Sequence, residues 1–275
     1  MIINEALQWA KEELRYACER PLFEAEVLLA YHLDKDRTYL VTHDGDEVCR
    51  FNKFEELIAR RKAHEPMEYI IGRSSFYDLE LTVSSAVLIP RSETEILVDI
   101  ASELIKENGY TRIAEIGIGS GAISISLARK FPHIKIIASD ISKDALVVAK
   151  ENIEEFGLEG QIELLHTSLL DGIDYNSLEM IVSNPPYIAK NKPLAPNVAE
   201  YEPHTALYSQ EQGDELLKEI ILLTKVRKIK HLVCEMGYDQ KESISNFAKE
   251  AEVKSIEFYQ DYAGLDRGFV IGGYS

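Results

Sequence analysis

Ile113-Ala114-Glu115-Ile116-Gly117-Ile118-Gly119-Ser120-Gly121 is the stretch on which the reading of this chain turns. A short strand-like run enters three glycines set at alternate positions, and an apolar helical pattern follows from Ala122. Alternating glycines let a backbone pass close to a ligand and turn into a helix. The plainer alternative is a tight turn. The dinucleotide fingerprint is G-x-G-x-x-G, with a pyrophosphate against the helix N-terminus. Here the spacing is G-x-G-x-G, and an acid, Glu115, stands two residues before the first glycine.

A carboxylate at that point would repel a pyrophosphate but suits an ammonium group, such as that of S-adenosylmethionine. Working outward, apolar strands and amphipathic helices alternate from Thr111 on. Strands are predicted at 112–116, 135–139, 161–165, 178–182 and 231–235, with helices at 122–130, 142–156, 213–223 and 238–250. That alternation specifies a doubly wound parallel sheet. Segments 254–260 and 268–272 add two strands joined by a loop too short for a crossover helix, so they should pair antiparallel.

The second strand ends in Ser139-Asp140, about twenty residues past the glycines, where an α/β fold places the acid that accepts ribose hydroxyls. Capping the next helix is the alternative role, but Ser142 is better placed for it. The fourth strand ends in Ser183-Asn184-Pro185-Pro186-Tyr187-Ile188. Two adjacent prolines cannot donate to a sheet ladder, so the strand stops and Asn184 is presented in a stiff turn. An Asn carbonyl, a backbone carbonyl and an aromatic ring together suit a planar NH2 group. An ordinary proline-rich loop is the competing reading. The glycine loop and the acid on neighbouring strands favour a shared site at the carboxyl edge of the sheet.

Residues 1–72 differ in texture. Apolar positions recur at helical spacing from Ile3 to Ala17, from Leu22 to His32 and from Phe54 to Arg61, which predicts a small helical bundle. Tyr77, Leu79, Leu81 and Val83 alternate with polar residues and 87–89 follows, which predicts a linking β-hairpin. Ser92-Glu93-Thr94-Glu95 has the form of a capping box opening a helix. The expected domains are therefore 1–72, a linker at 73–91, and 92–275.

Composition narrows the function. Lys and Arg number 30 against 47 Asp and Glu, a formal charge of -17, which argues against broad nucleic-acid binding. Arg60-Arg61-Lys62 is the densest basic run, read as a solvated helix face. The three cysteines are far apart, and the seven histidines lack paired-ligand spacing, so no metal is expected. No apolar run reaches the ~18 residues of a membrane span, and the start lacks a signal-peptide pattern. A cytoplasmic protein is expected.

Residues 115–121, Asp140 and Asn184-Pro185-Pro186-Tyr187 together resemble S-adenosylmethionine-dependent amino methyltransferases. The Asn-Pro-Pro-Tyr motif is common to enzymes acting on adenine in DNA, on RNA and on protein glutamine. The flanking motifs choose among them. Pro66-Met67-Glu68-Tyr69-Ile70-Ile71-Gly72, Leu88-Ile89-Pro90-Arg91-Ser92-Glu93-Thr94-Glu95, Glu202-Pro203-His204-Thr205-Ala206-Leu207 and Ala263-Gly264-Leu265-Asp266-Arg267 resemble the HemK-like family. That family methylates the side-chain nitrogen (N5) of the glutamine in the Gly-Gly-Gln motif of class 1 peptide chain release factors, modulating translation termination.

The resemblance implies a class I methyltransferase fold with a seven-stranded, mostly parallel sheet, a C-terminal antiparallel pair and an N-terminal helical domain that docks the protein substrate. It implies S-adenosylmethionine as cofactor and S-adenosylhomocysteine as product, held by Glu115, Gly117, Ile118, Gly119, Ser120, Gly121, Asp140, Ile141, Ser168, Leu169 and Asn184. Asn184, Pro185 and Tyr187 are the implied catalytic residues, and with Pro186 they would hold the glutamine. Three positions depart from the family pattern. Ser92 replaces a usual proline, Ser168-Leu169 stands for an acid and an aromatic near the adenine, and Gln212 for an aspartate. The alternative function is methylation of a base amino group in nucleic acid. Nothing in the sequence requires more than a monomer.

Overall fold

The computed structural model describes residues 1–273. The chain divides into two compact units, Met1–Arg73 with Leu194–Tyr201, and Ser74–Pro193 with the chain from Glu202 onward. The first unit is helical. Its helices are α1 (Ile3–Glu13), α2 (Pro21–Leu33), α3 (Arg37–Thr42), α4 (Phe51–Lys62) and α5 (Met67–Ile71). Pro21 starts α2, where its missing N–H has no intrahelical partner to lose. The apolar stripes of α1, α2 and α4 meet in a core of Ile3, Ala10, Leu28, Leu29, Phe54 and Ile58.

Two short helices, α3 and α5, were not expected. The first lies in a stretch that reads as polar, and its start is set by the Asp36 carboxylate accepting the Tyr39 N–H at 2.7 Å. The basic run of α4 is neutralised within this unit, by Arg60 on Glu65, Arg61 on Glu24 and Lys62 on Glu13. The later segment 194–201 carries the short α9 (Pro196–Ala199). Its Tyr201 hydroxyl donates to the Ala63 carbonyl at 2.6 Å.

The linking hairpin forms one strand earlier than its alternation suggests. It pairs β1 (Arg73–Phe76) with β2 (Leu79–Thr82), and Tyr77, with φ +52, makes the turn. Residues 87–89 form no strand. Their chain is engaged instead by Glu202, which accepts from the Ile89 N–H and pairs with Arg91. The capping box at 92–95 is also absent. Helix α6 (Thr94–Asn108) has Glu93 at its N-cap with no side-chain bond, and the Glu95 carboxylate accepts instead from the Tyr77 N–H at 2.8 Å.

Beyond α6 the expected alternation is present. It runs through β3 (Arg112–Ile116), α7 (Ala122–Lys130), β4 (Lys135–Asp140), α8 (Lys143–Glu155), β5 (Ile162–His166) and β6 (Met180–Ser183). After α9 and α10 (His204–Leu207) come α11 (Glu215–Arg227), β7 (His231–Glu235), α12 (Lys241–Glu250), β8 (Ser255–Gln260) and β9 (Asp266–Gly272). The seven-stranded sheet has the order β5-β4-β3-β6-β7-β9-β8. The first five strands are parallel, and β9 runs antiparallel to both β7 and β8. Both faces are covered. Ile113, Ile136, Met180 and Val182 face one apolar layer, and Ala114, Ile116, Ile181 and Leu232 face the other. Among the described residues no helix is long and apolar enough to cross a membrane, and no cluster of His, Cys, Asp and Glu could hold a metal ion.

Candidate active site

Strand register decides which residues share the carboxyl edge. Ile116 lies beside Ser139 and Ser183, and Ser183 beside Cys234. One residue further along each strand, Gly117, Asp140, Asn184 and Glu235 therefore form one row. The strand order reverses between β3 and β6, which is the switch point where such sheets bind ligands.

The glycine loop is built by backbone. The Gly117 and Ile118 N–H groups donate to the Ser139 carbonyl at 2.9 and 3.0 Å. Gly117, Gly119 and Gly121 all take positive φ (+77, +55 and +89), a conformation that side chains with a Cβ resist. Asp140 supports the loop, accepting from the Gly119 N–H at 3.1 Å and the Ser142 N–H at 2.9 Å. The helix cap is Ser142, whose hydroxyl oxygen accepts from the Ala145 N–H. Under the loop sits Glu115, only 1% exposed. Its carboxylate accepts from the Ser124 N–H at 3.0 Å and from the Ser124 hydroxyl. Burial pushes its pKa up to about 8; the bonds from Ser124 oppose the shift and Asp140 adds to it.

The Asn-Pro-Pro-Tyr loop is held by side chains from elsewhere. The Ser183 hydroxyl donates to the Ile116 carbonyl at 2.7 Å. Asn184 donates its Nδ2–H to the Thr94 hydroxyl oxygen at 3.0 Å. The Tyr187 hydroxyl donates to Glu235 at 3.0 Å, and the Tyr187 carbonyl accepts from Gln240 at 2.8 Å. A Cβ on Gly213 would lie 2.7 Å from both the Tyr187 carbonyl and the Ala189 nitrogen, so only glycine permits that approach. The loop with Gln212 thus braces this motif, and its Gln212 and Gly213 N–H groups donate to Glu215. Glu235 is nine-tenths or more buried. Burial raises its carboxyl above the usual range, while the bonds from Thr94 and Tyr187 and the Arg267 charge pull the other way.

A cavity of about 230 Å³ opens along this edge. It is lined by Glu115, Gly117, Ile118, Gly119 and Ser120, by Asp140 and Ile141, and by Ser168 and Leu169. Asn184, Pro185 and Pro186 close its other side, with Thr94 and Arg91 beside them. Two expected residues stand outside the lining. Gly121 turns the chain into α7, and Tyr187 packs on the apolar layer of Ala114 and Ile181 with its hydroxyl on Glu235. At the Ser168-Leu169 edge, the Ser139 hydroxyl donates to the Leu169 carbonyl, and Leu169 takes φ +49. The residues fit S-adenosylmethionine: a buried carboxylate for an ammonium, a backbone-lined turn, a second acid at the β4 end, and apolar Ile141 and Leu169 beyond it.

Sequence reasoning did not single out Thr94, which lines the cavity, or Glu235, Gln240 and Asn152, which brace the loops around it. The buried Asn152 amide accepts from the Thr82 N–H and donates to the Thr82 and Ser120 carbonyls at 2.7, 2.9 and 2.8 Å, tying the hairpin to the glycine loop. Counting strand ends could have found Glu235, because it closes the fifth parallel strand in the same row. Thr94 stands in the Leu88–Glu95 motif, but nothing local to it points to Asn184, and Asn152 carries no local signal.

Two family models match, the PrmC N-terminal domain over residues 5–72 and the methyltransferase small domain over residues 93–201. The release factor glutamine methyltransferase of Dictyoglomus turgidum is 38% identical over 96% of both chains. That of Clostridium acetobutylicum is 34% identical over 97% of both. Among solved structures, the hMettl16 catalytic domain in complex with MAT2A 3'UTR hairpin 6 superposes with a TM-score of 0.60 at 16% identity. That match covers 72% of this chain and 77% of the other, and it is a likeness of fold. On near-full-length identity and on both domain matches, the chain belongs to the release factor glutamine methyltransferase family.

Proposed function

We propose that this chain transfers a methyl group from S-adenosylmethionine to the side-chain amide nitrogen of a glutamine in a peptide chain release factor. The observation that carries the reading is the pair of acceptors beside the cavity, the Asn184 Oδ1 and the Pro185 carbonyl oxygen. Neither has a donor among the described residues.

Bound S-adenosylmethionine supplies a methyl group already activated on a sulfonium. An amide nitrogen is a poor nucleophile because its lone pair is delocalised into the carbonyl. The task of the protein is therefore placement and charge stabilisation. Asn184 Oδ1 and the Pro185 carbonyl accept the two N–H bonds of the glutamine amide and turn its nitrogen toward the glycine loop. Both bonds strengthen as positive charge grows on nitrogen, which favours the transition state over the ground state. The nitrogen's proton leaves after attack, so no general base is needed beforehand. Tyr187, expected to stack on the amide, stands outside the cavity lining and holds the motif through its hydroxyl on Glu235. Glu115 takes the cofactor ammonium, Asp140 the ribose hydroxyls, and Ile141, Ser168 and Leu169 the adenine edge.

The helical unit docks the release factor. In support, the chain that follows the Asn-Pro-Pro-Tyr motif lends residues 194–201 to that unit, so the docking element and the glutamine-holding motif share one covalent segment. The reading implies a cytoplasmic enzyme, complete as a monomer, that leaves nucleic acids unmodified; the neutralised Arg60-Arg61-Lys62 run favours the last point. Radiolabelled methyl transfer tests it. Label should appear on a release factor, vanish in its glutamine-to-alanine variant, and be absent from DNA and RNA. Label on nucleic acid, or label that survives the glutamine change, overturns the assignment.

A further inference from the structure

The mechanism leaves one buried carboxylate without a task. Glu235 is 1% exposed and Thr94 4%. The Thr94 hydroxyl donates to Glu235 Oε2 at 2.7 Å, and the Tyr187 hydroxyl donates to Oε1 at 3.0 Å. A threonine hydroxyl has one proton. With that proton on Glu235, the Thr94 oxygen can meet Asn184 only as an acceptor, and it accepts the Asn184 Nδ2–H at 3.0 Å. The Asn184 amide therefore has one permitted orientation. Its NH2 faces Thr94, and its oxygen is left for the cavity. A flipped amide would set oxygen against oxygen at Thr94 and present NH2 to an incoming NH2.

We infer that Thr94 and Glu235 are positioning residues that fix the hydrogen-bond polarity of Asn184, so that the site accepts an amide NH2 and rejects a carboxylate. The inference rests on the glutamine reading above. With the Asn184 oxygen inward, the site offers two acceptors, Asn184 Oδ1 and the Pro185 carbonyl. A glutamine amide meets them with two donors, whereas a glutamate side chain would bring acceptors against acceptors. Glu235 also holds the Tyr187 hydroxyl, so one carboxylate sets both side chains of the motif. These contacts span the fold: Thr94 opens α6, Glu235 ends β7, and Asn184 follows β6.

The test compares wild type, T94V, T94S and E235Q as full-length chains. Steady-state kinetics use a release factor, cofactor affinity is read by calorimetry, and exchange of the Asn184 side-chain NH2 protons is read by NMR. T94V keeps the shape of Thr94 but removes the hydroxyl. It should lower kcat about 10- to 100-fold, the loss typical of a misplaced reacting group, with cofactor affinity within about twofold. T94S should recover most of the rate. E235Q, whose amide can donate to Thr94 and free its proton, should lower kcat about tenfold. The Asn184 NH2 protons should exchange slowly in wild type and fast in T94V and E235Q. Wild-type kcat in a folded T94V, equal damage in T94S and T94V, or unchanged NH2 exchange overturns the inference. If T94V does not fold, E235Q carries the same comparison. If the wild type itself labels no release factor, the functional reading fails, and the NH2 exchange still decides the orientation claim.

Discussion

The two halves of the sheet edge hold their functional groups by different means. At β3 and β4 the chain does the work with backbone, through a glycine turn whose N–H groups bond to the adjacent strand and a carboxylate twenty-one residues away along the chain. At β6 and β7 the work is done by side chains from distant sequence. Asn184 bonds to a partner 90 residues away, Thr94 to one 141 away, and Tyr187 to groups 48 and 53 away. The difference suits the two ligands proposed above. A cofactor with fixed chemistry can be met by a local loop, whereas an amide needs closely aimed acceptors. The aim comes from a network closed only in the folded state.

The largest test of this contrast is Asn184→Ala. It removes an acceptor from the side-chain half and should lower kcat by about 10²- to 10³-fold, while cofactor affinity, set by the other half, stays within about threefold. Comparable loss in both would mean that the halves are not separable. Gly213→Ala comes next. The added methyl meets the Tyr187 carbonyl and the Ala189 nitrogen at 2.7 Å, on a residue with φ +90. The motif should shift by enough to lower kcat about 100-fold and stability by about 1–3 kcal/mol, read by single-turnover methyl transfer and by urea unfolding.

Glu115→Gln probes the backbone half. It should weaken cofactor binding about tenfold, the scale of one charge-assisted bond, with kcat at saturating cofactor much less changed. The pH dependence has a definite sign. The folded carboxyl, at about 8 against an ordinary 4.5, holds its proton longer than the unfolded one. Its contribution to apo-protein stability is therefore full below about pH 4.5 and lost as pH rises toward 8. Subtracting the Glu115→Gln melting curve from that of wild type should reveal this fall. Carboxylates held below their usual range, such as Glu179 with its bonds from Thr111 and Lys230, run the opposite way in both proteins and cancel. Cofactor binding near pH 7 should also release a proton, measurable by calorimetry in buffers of different ionisation enthalpy. Gln240→Ala should have the smallest effect, about 3- to 10-fold on kcat, because the prolines keep the motif stiff when its Tyr187 carbonyl loses one donor.

Most of the sheet was readable from periodicity, because a strand buried on both faces must be apolar and a covering helix must be amphipathic. The hairpin was misplaced by one strand. Alternation marks a strand but does not say on which side its partner lies, and here Tyr77 turned the chain without glycine or proline. The capping box did not form, and Glu95 accepts instead from the Tyr77 N–H, a partner outside the local pattern. The meeting of the glycines, Asp140 and Asn184 on one sheet edge was legible because their local geometry is imposed by neighbours in sequence. Thr94, Gln240 and Asn152 were not, because they act only through partners brought close by folding.

The sequence by itself determined the strands, the glycine turn, the acid at the end of β4 and the proline-stiffened Asn184, since each follows from backbone sterics and local periodicity. The tertiary structure alone decided the row of strand ends, and with it which way the Asn184 amide faces. A side-chain amide has two nearly equal orientations until a fixed partner breaks the tie. That partner, a threonine whose proton goes to a buried glutamate, exists only when α6, β6 and β7 meet.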